Sequence, residues 1–544
     1  MEGCEVWQDI RSCWSVNPLD VLLFSSLWLA DPGTGKAWIE CPTNDASDVD
    51  DAVKQSHEAF LEYKKVSPRQ RAQWLYKWDQ LIRENKEDIA TILVYETGKP
   101  RSEAYGEIDY STGFTWWFAG EAERIQGTNF VPALANRRIF TIKQPAGVAA
   151  ALVPWNFPIA MILRKAGAAL AAGCTMIVKP SPETPITVLA LAHLALKAGF
   201  PKGALNVLTT DLDKTPELSE ALCRHPLIAK VTFTGSTRVG KLVAKICSDN
   251  LKKVTLELGG NCPVLIFDDA NIEQAMSQIF ALKYRHAGQA CITANRIYVQ
   301  SGIFDKFLER WNAETDKIVV GHGSDEKTTM GPVTTPRGAQ KALELVEDAK
   351  KKGAKIHKGG NKIDGKGGYF FEPTVITGVT PDMDIANEEV FSPICTFIKF
   401  ETEEEAVKKA NDTSMGLASY LFTKNVDRMW RLFESLEAGM IGLNTGKPNT
   451  KQPSTQSKFF NSDRQLISRR VTVWWYQAKW IRKGVWKRRG CKRVPDHKDR
   501  HLHPGGECLS RRQSGDVNNA NEQHHVKHVM QPWILDCLTS CIIA

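Results

Sequence analysis

The feature that most restricts how this chain folds is an alternation running from about residue 147 to residue 260. Short apolar runs, GVAAALVPW, TMIVKP, NVLT, AKVTFTG and VTLELGG, are separated by stretches of helical period, among them MILRKAGAALAAG, TVLALAHLALKAG and RVGKLVAKICSD. Runs this short and this continuously apolar suit strands covered on both faces. Alternating with helices of about 10–15 residues, they build βαβ units on a parallel sheet. The pattern resumes at CPVLIF (262–267) and continues to about Leu443, predicting a second α/β unit. Upstream, DASDVDDAVKQSHEAFLEY (45–63) reads as a capped amphipathic helix with Val53, His57, Ala59 and Phe60 on one face, and helical period covers 71–99. The segment 124–145 interleaves apolar and polar residues about a turn, as an exposed β-hairpin does. The expected divisions are 31–256, carrying that hairpin, and 257–446, flanked by an atypical start, 1–30, and a tail, 447–544.

Charge argues against an anionic partner once its placement is counted. The net charge is +8, yet residues 447–544 hold 19 Lys and Arg against 7 Asp and Glu. The preceding residues hold 51 against 55, so the body is mildly acidic and no nucleic-acid partner is expected. Thirteen cysteines without a CxxC pair or regular spacing fit neither a disulfide framework nor a zinc site, and no metal is expected. They favour a reducing compartment, the cytoplasm, with the mitochondrion as alternative. LDVLLFSSLWLA (19–30) is too short to span a bilayer, and Glu2, Glu5 and Asp9 precede it instead of a basic segment. Neither a membrane anchor nor a signal peptide is expected.

Three residues carry candidate chemistry. Cys291 lies in HAGQACITANR, where Gly288, Ala290 and Ala294 allow close backbone approach to a nucleophilic thiol. Asn156, in PWNFP (154–158), sits at a strand-to-helix turn between two prolines, placed to donate to a developing oxyanion or, alternatively, to cap the helix. Glu257 ends the strand of VTLELGGN before two glycines, positioned as a general base or as a solvated turn residue.

PWNFP, FTGS (233–236), ELGGN (257–261), GQACITANR (288–296) and EEVFSP (388–393) occur in one order and spacing. That set resembles the aldehyde dehydrogenase superfamily from about Asp31 to Gly446. The resemblance implies a Rossmann-type cofactor domain, an α/β catalytic domain and a β-hairpin oligomerisation element. It implies that Cys291 attacks the aldehyde carbon, that Asn156 and the Cys291 backbone N–H form the oxyanion hole, and that Glu257 activates water to hydrolyse the thioester. Trp155, Lys179, Gly235, Ser236, Glu389 and Phe391 resemble the family's contacts to NAD or NADP. NAD-strict relatives tend to carry Glu three residues after the lysine; here Pro182 leaves both cofactors open. Gly235 to Lys241 also approaches a phosphate-binding P-loop, and departs from it at Leu242, where Ser or Thr is needed.

Arg164, eight residues after Asn156, and Arg285, six before Cys291, match the arginines with which succinate-semialdehyde dehydrogenases hold the far carboxylate of the substrate. The implied partner is thus a small anionic aldehyde. The second cysteine that this branch often carries two residues after the nucleophile is Thr293 here, and Ser392 replaces the glycine of EEVFGP.

The resemblance ends at Gly446. Members of the superfamily close with an aromatic-Gly-Gly-x-Lys-x-Ser-Gly stretch and a last strand that pairs across subunits, neither legible here. Back-translating VWWYQAKWIR (473–482) as GTT TGG TGG TAT CAA GCA AAG TGG ATT CGG, and reading from the second nucleotide, gives Phe-Gly-Gly-Ile-Lys-Gln-Ser-Gly-Phe. Tryptophan codons have no synonyms, so this match to the missing stretch has little freedom to arise by chance. Residues from Lys447 to about Ser468 therefore read as translated intron and the rest as out of frame, an aberrant tail expected to be disordered. The first ~30 residues, where the family's opening strands are not apparent, are expected to share that origin. The homo-oligomer implied by the resemblance loses its last strand, and the hairpin 124–145 its partner.

Overall fold

The computed structural model describes residues 25–446; what was expected of residues 1–24 and of the tail 447–544 lies outside the described residues. The chain enters through an antiparallel pair, β1 (Ser26–Ala30) with β2 (Ala37–Pro42). Leu29, Ile39 and Cys41 bury against Ile92, Ile186 and Ala190, while Trp28 on the opposite face is exposed. This corrects the expectation that no opening strand lies within residues 1–30. The period-two pattern of SLWLA is masked because it continues the apolar run LDVLLFS.

The first expected helix spans Asp48–Tyr63, with Val49, Val53, Phe60 and Tyr63 buried. Residues 71–99, continuous in period, belong to two helices, Pro68–Glu84 and Lys86–Thr97. Asn85 leaves helical geometry between them, and its Nδ2 donates to the Leu81 carbonyl at 2.7 Å. A fourth helix, Arg101–Ala122, packs on the helix Pro158–Ala171. The hairpin at 124–145 is minimal: β3 (Asn129–Phe130) pairs antiparallel with β4 (Ile139–Phe140), and Phe130, Val131, Leu134, Phe140 and Ile142 stay exposed.

Five parallel strands form the first large sheet: β5 (Val148–Leu152), β6 (Thr175–Lys179), β7 (Leu205–Val207), β8 (Ile228–Thr234) and β9 (Lys253–Glu257), in the order β7-β6-β5-β8-β9. Both faces are covered, which is why the runs are continuously apolar. Along β5, Ala149 and Ala151 enter one hydrophobic cluster, while Val148, Ala150 and Leu152 enter the other. The order reverses between β5 and β8, and a crevice outside the carboxyl ends of strands at such a reversal is where α/β sheets take ligands.

The second sheet holds β10 (Cys262–Ile266), β11 (Ala294–Gln300), β12 (Lys355–Lys358), β13 (Thr374–Thr377), β14 (Ile394–Phe400), β15 (Ala418–Phe422) and β16 (Met440–Leu443). Their order is β12-β13-β14-β11-β10-β15-β16, parallel throughout except for β12. The change of sheet falls within 258–261, so Glu257 closes the first unit and does not open the second. No helix of the described residues is long and apolar enough to cross a membrane, and no cluster of metal-ligating side chains occurs among them.

Candidate active site

Cys291 is presented by a backbone forced into an unusual shape. After the helix Ile272–Tyr284, residues Arg285–Gly288 form a short turn in which His286 (φ 51°) and Ala287 (φ 50°) are left-handed, followed by Gly288 (φ 76°). Each non-glycine residue in that region costs about 1–2 kcal/mol, so the surroundings must impose it. The His286 N–H donates to Glu103 Oε2 at 2.7 Å, and Gln289 Nε2 donates to the His286 carbonyl at 2.9 Å. Gln289 Oε1 accepts from the Thr334 N–H at 2.9 Å. At Gly288 a Cβ would stand 2.2 Å from the Ser392 carbonyl oxygen, so no side chain fits there. Cys291 follows, half-buried, just before β11. Burial pushes its thiol up to about 12, Glu389 and Glu257 push the same way, and Arg164 and Arg285 oppose them. A second thiol lies close by: Cys262 Sγ donates to the Cys291 carbonyl at 3.5 Å.

The loop between β5 and Pro158–Ala171 brings Asn156 to the same place. Its backbone is held by a buried ion pair, Lys99 with Glu107, both nearly inaccessible to solvent. Lys99 Nζ donates to the Asn156 carbonyl at 3.0 Å, and Glu107 Oε1 accepts from the Ile159 N–H at 2.9 Å at the start of the helix. Asn156 Nδ2 donates to the Gln289 carbonyl at 3.0 Å, two residues before the nucleophile, and its buried Oδ1 has no partner. The amide is therefore tied to the cysteine loop, and the alternative role of a helix cap is not the one it fills.

Glu257, at the end of β9, is enclosed by cations. Arg164 Nη2 is ion-paired with Oε2, where Lys165 Nζ (3.3 Å) and Thr234 Oγ1 (2.6 Å) also donate. Burial acts to raise its pKa, but Arg164, then Lys165, then the Thr234 hydroxyl outweigh it and hold the carboxyl down at about 2. Lys165 in turn is pushed down to about 8 by burial. Arg285 lies with its guanidinium 5.0 Å from the centre of the Phe157 ring. The Nε atoms of both Arg164 and Arg285 are buried without a partner. Cys291, Asn156, Glu257 and the two arginines thus lie close to one another.

The remaining expected residues are the candidate cofactor contacts. Lys179 ends β6 and is buried, its ammonium pushed down to about 8 by desolvation against the pull of Glu183. Gly235 and Ser236 follow β8; Ser236 Oγ accepts from the Val239 N–H and caps the helix Thr237–Ser248. A Cβ on Gly235 would meet the Phe233 ring at 2.6 Å, so a side chain there would have to displace that ring. Glu389 accepts from the Gly260 N–H at 3.2 Å and is raised to about 7 by burial, and a Cβ on Gly259 would push its carboxylate aside. Phe391 packs edge-on to Trp155, ring centres 5.6 Å apart. A helix N-terminus beside a glycine turn, an ammonium and a carboxylate are the donors and acceptors that a pyrophosphate and ribose hydroxyls need, at the edge where the strand order reverses. These residues fit a nicotinamide dinucleotide.

The model of the aldehyde dehydrogenase family matches residues 25–459. The chain belongs to the aldehyde dehydrogenase family. It is 45% identical over 418 residues to a succinate-semialdehyde dehydrogenase [NADP(+)] of Saccharomyces cerevisiae, covering 77% of this chain and 84% of that one. It is 42% identical over 417 residues to a 3-sulfolactaldehyde dehydrogenase of Pseudomonas putida, covering 77% and 85%. Among solved structures, a succinate-semialdehyde dehydrogenase from Burkholderia pseudomallei superposes with a TM-score of 0.76 at 42% identity, over 78% of this chain and 87% of that one.

Sequence reasoning passed over several residues of this aldehyde dehydrogenase site: Lys99, Glu103, Glu107, Lys165 and Thr234. A signal existed for some. Lys165 stands beside Arg164 inside an otherwise apolar helix, MILRKAGAALA, where charges are kept only if paired. Glu103 and Glu107 are four apart on one helix, a spacing that places both on one face. Ser392, the departure from EEVFGP, carries a buried hydroxyl without a partner.

Proposed function

We propose that this aldehyde dehydrogenase oxidises succinate semialdehyde to succinate, with NAD or NADP as the hydride acceptor. The observation that carries the substrate class is the pair of arginines. Both guanidinium groups act on the Cys291 thiol electrostatically, and both keep a buried Nε free to donate. An aldehyde with a distal carboxylate satisfies those donors through charge-assisted hydrogen bonds while its carbonyl reaches the thiol. The yeast relative is named for succinate semialdehyde and NADP, and the Pseudomonas relative for a substrate carrying a sulfonate, also an anion. Pro182 presents no carboxylate against a 2′-phosphate.

Cys291 Sγ, its proton passed to solvent water, adds to the aldehyde carbon, and the developing oxyanion receives the Cys291 N–H and the second Nδ2 hydrogen of Asn156, whose first is taken by Gln289. A bound nicotinamide would supply the hydride acceptor; loss of hydride from that carbon turns the Cys291 adduct into a thioester. Glu257 then takes a proton from water as the water oxygen bonds to the thioester carbon; the C–S bond breaks, the sulfur regains a proton, and the acid departs. Lys179, Glu389, Gly235, Ser236, Trp155 and Phe391 bind and orient the cofactor. The seven described cysteines are all free, in keeping with a reducing compartment, and the cytoplasm is our assignment.

Reduction of NAD(P) by succinate semialdehyde should disappear in Cys291→Ala. Arg285→Met should raise KM for succinate semialdehyde about tenfold or more, since a hydrogen bond to a charged group contributes about 1.5–3 kcal/mol, and should leave butanal little affected. Equal effects on the two aldehydes would remove the carboxylate from the proposal.

A further inference from the structure

We propose that Arg164 switches between the substrate's carboxylate and Glu257, so that an anionic aldehyde releases the base that later hydrolyses its own thioester. The inference rests on the function proposed above. Glu257 is not free in the structure: Arg164 Nη2, Lys165 Nζ and Thr234 Oγ1 all lie on its Oε2. The same guanidinium group is one of the two that the proposed function gives to the substrate's carboxylate. Its Nε is buried and partnerless, and its Nη2 also lies 2.9 Å from Met161 Sδ. Nε and Nη2 form one edge of the planar fork, the edge that takes a carboxylate in two parallel hydrogen bonds. Glu257 fills only the Nη2 half of that edge. A substrate carboxylate seated on the whole edge therefore displaces Glu257, leaving it with Lys165 and Thr234.

The consequence is a coupling between substrate charge and the second half of the reaction. While Arg164 holds Glu257, the carboxylate is a poor base for water, in keeping with its depressed pKa. An uncharged aldehyde of the same length still forms the thioester on Cys291, because nothing in that step needs Glu257. Its hydrolysis then stalls. Selectivity for anionic aldehydes arises in turnover as well as in binding.

The test uses the purified full chain with saturating NAD(P), comparing butanal with succinate semialdehyde by stopped-flow and by mass spectrometry of the Cys291 peptide. Butanal should give a single-turnover burst of reduced cofactor, followed by a steady rate lower by about 100-fold, the scale of a lost general base, with acyl-Cys291 accumulating. Succinate semialdehyde should give no burst. Sodium acetate, at concentrations that compete with succinate semialdehyde, should accelerate the slow phase with butanal in the unsubstituted chain. Arg164→Met should abolish the burst with butanal by raising the steady rate, while KM for succinate semialdehyde rises. If acetate leaves the burst and slow phase unchanged, or Arg164→Met does so, the switch is overturned. If neither aldehyde acylates Cys291, and Glu257→Gln turns over both like the unsubstituted chain, it is the underlying function that has failed.

Discussion

A thiol that burial holds near pKa 12 is almost wholly protonated at neutral pH, so Cys291 is a latent nucleophile in the free protein. Its alkylation by iodoacetamide should rise about tenfold per pH unit between about pH 7 and 9, because only the thiolate fraction reacts and no plateau is reached below the pKa. Peptide mapping of the Cys291 adduct measures this, and a plateau near pH 8 would contradict it. Glu257 has the opposite sign. Its folded pKa, about 2, lies below its ordinary value, so its pairing stabilises the protein above that ordinary value and is lost as pH falls toward 2. Denaturant midpoints of the unsubstituted chain and Glu257→Gln should differ at neutral pH and converge only as pH falls from about 5 to about 2. The individual residues Cys291, Asn156 and Glu257 were legible because ordered motifs flank each of them. The cage around Glu257 was not: Arg164 and Lys165 are over 90 residues away in sequence, and only the parallel packing of β5, β8 and β9 brings the three together.

At the level of elements, the helix Arg101–Ala122 sets two loops against each other. Glu103 holds the left-handed turn before Cys291; one turn later, Glu107 holds Lys99 and the start of the helix behind Asn156. Lys99→Ala leaves Glu107 as a buried, unpaired charge and should cost about 3–5 kcal/mol, whereas Lys99→Met with Glu107→Gln removes both charges, keeps the volume and should be close to neutral for stability. Urea unfolding of the two variants gives the answer: similar destabilisation by both would mean that the ion pair does not hold this loop. The strand and helix alternation of the large sheets was readable because burial on both faces leaves unbroken apolar runs. Two boundaries were not. The Asn85 break hides in a continuous helical period, since a single polar residue can turn the chain without disturbing the pattern on either side. β1 hides in an apolar run, since its period becomes visible only when β2 covers one face.

For the whole molecule, every residue assigned to catalysis, and both large sheets, lie within 25–446. The weak element among them is the hairpin. Two strands of two residues are too little to stand alone in water, and β3–β4 pairs with no other strand among the described residues. Around it Phe130, Val131, Leu134, Phe140 and Ile142 are exposed on an open sheet edge, the combination that promotes uncontrolled association. The superfamily resemblance implies a covering strand from a partner subunit, and we propose that the stretch leading to it is encoded in the shifted frame of residues 473–482. Replacing residues 447–544 by the end encoded in that frame should convert the protein from a heterogeneous, associating species to a discrete oligomer with higher specific activity. Light scattering coupled to size exclusion, beside NAD(P) reduction, measures both. In the chain as written, Phe140→Lys with Ile142→Lys should reduce association without restoring the discrete oligomer, since charge blunts the edge but supplies no strand. A monodisperse and equally active chain as written would show that the hairpin needs no partner, and would remove the shifted frame as an explanation of the tail's consequences.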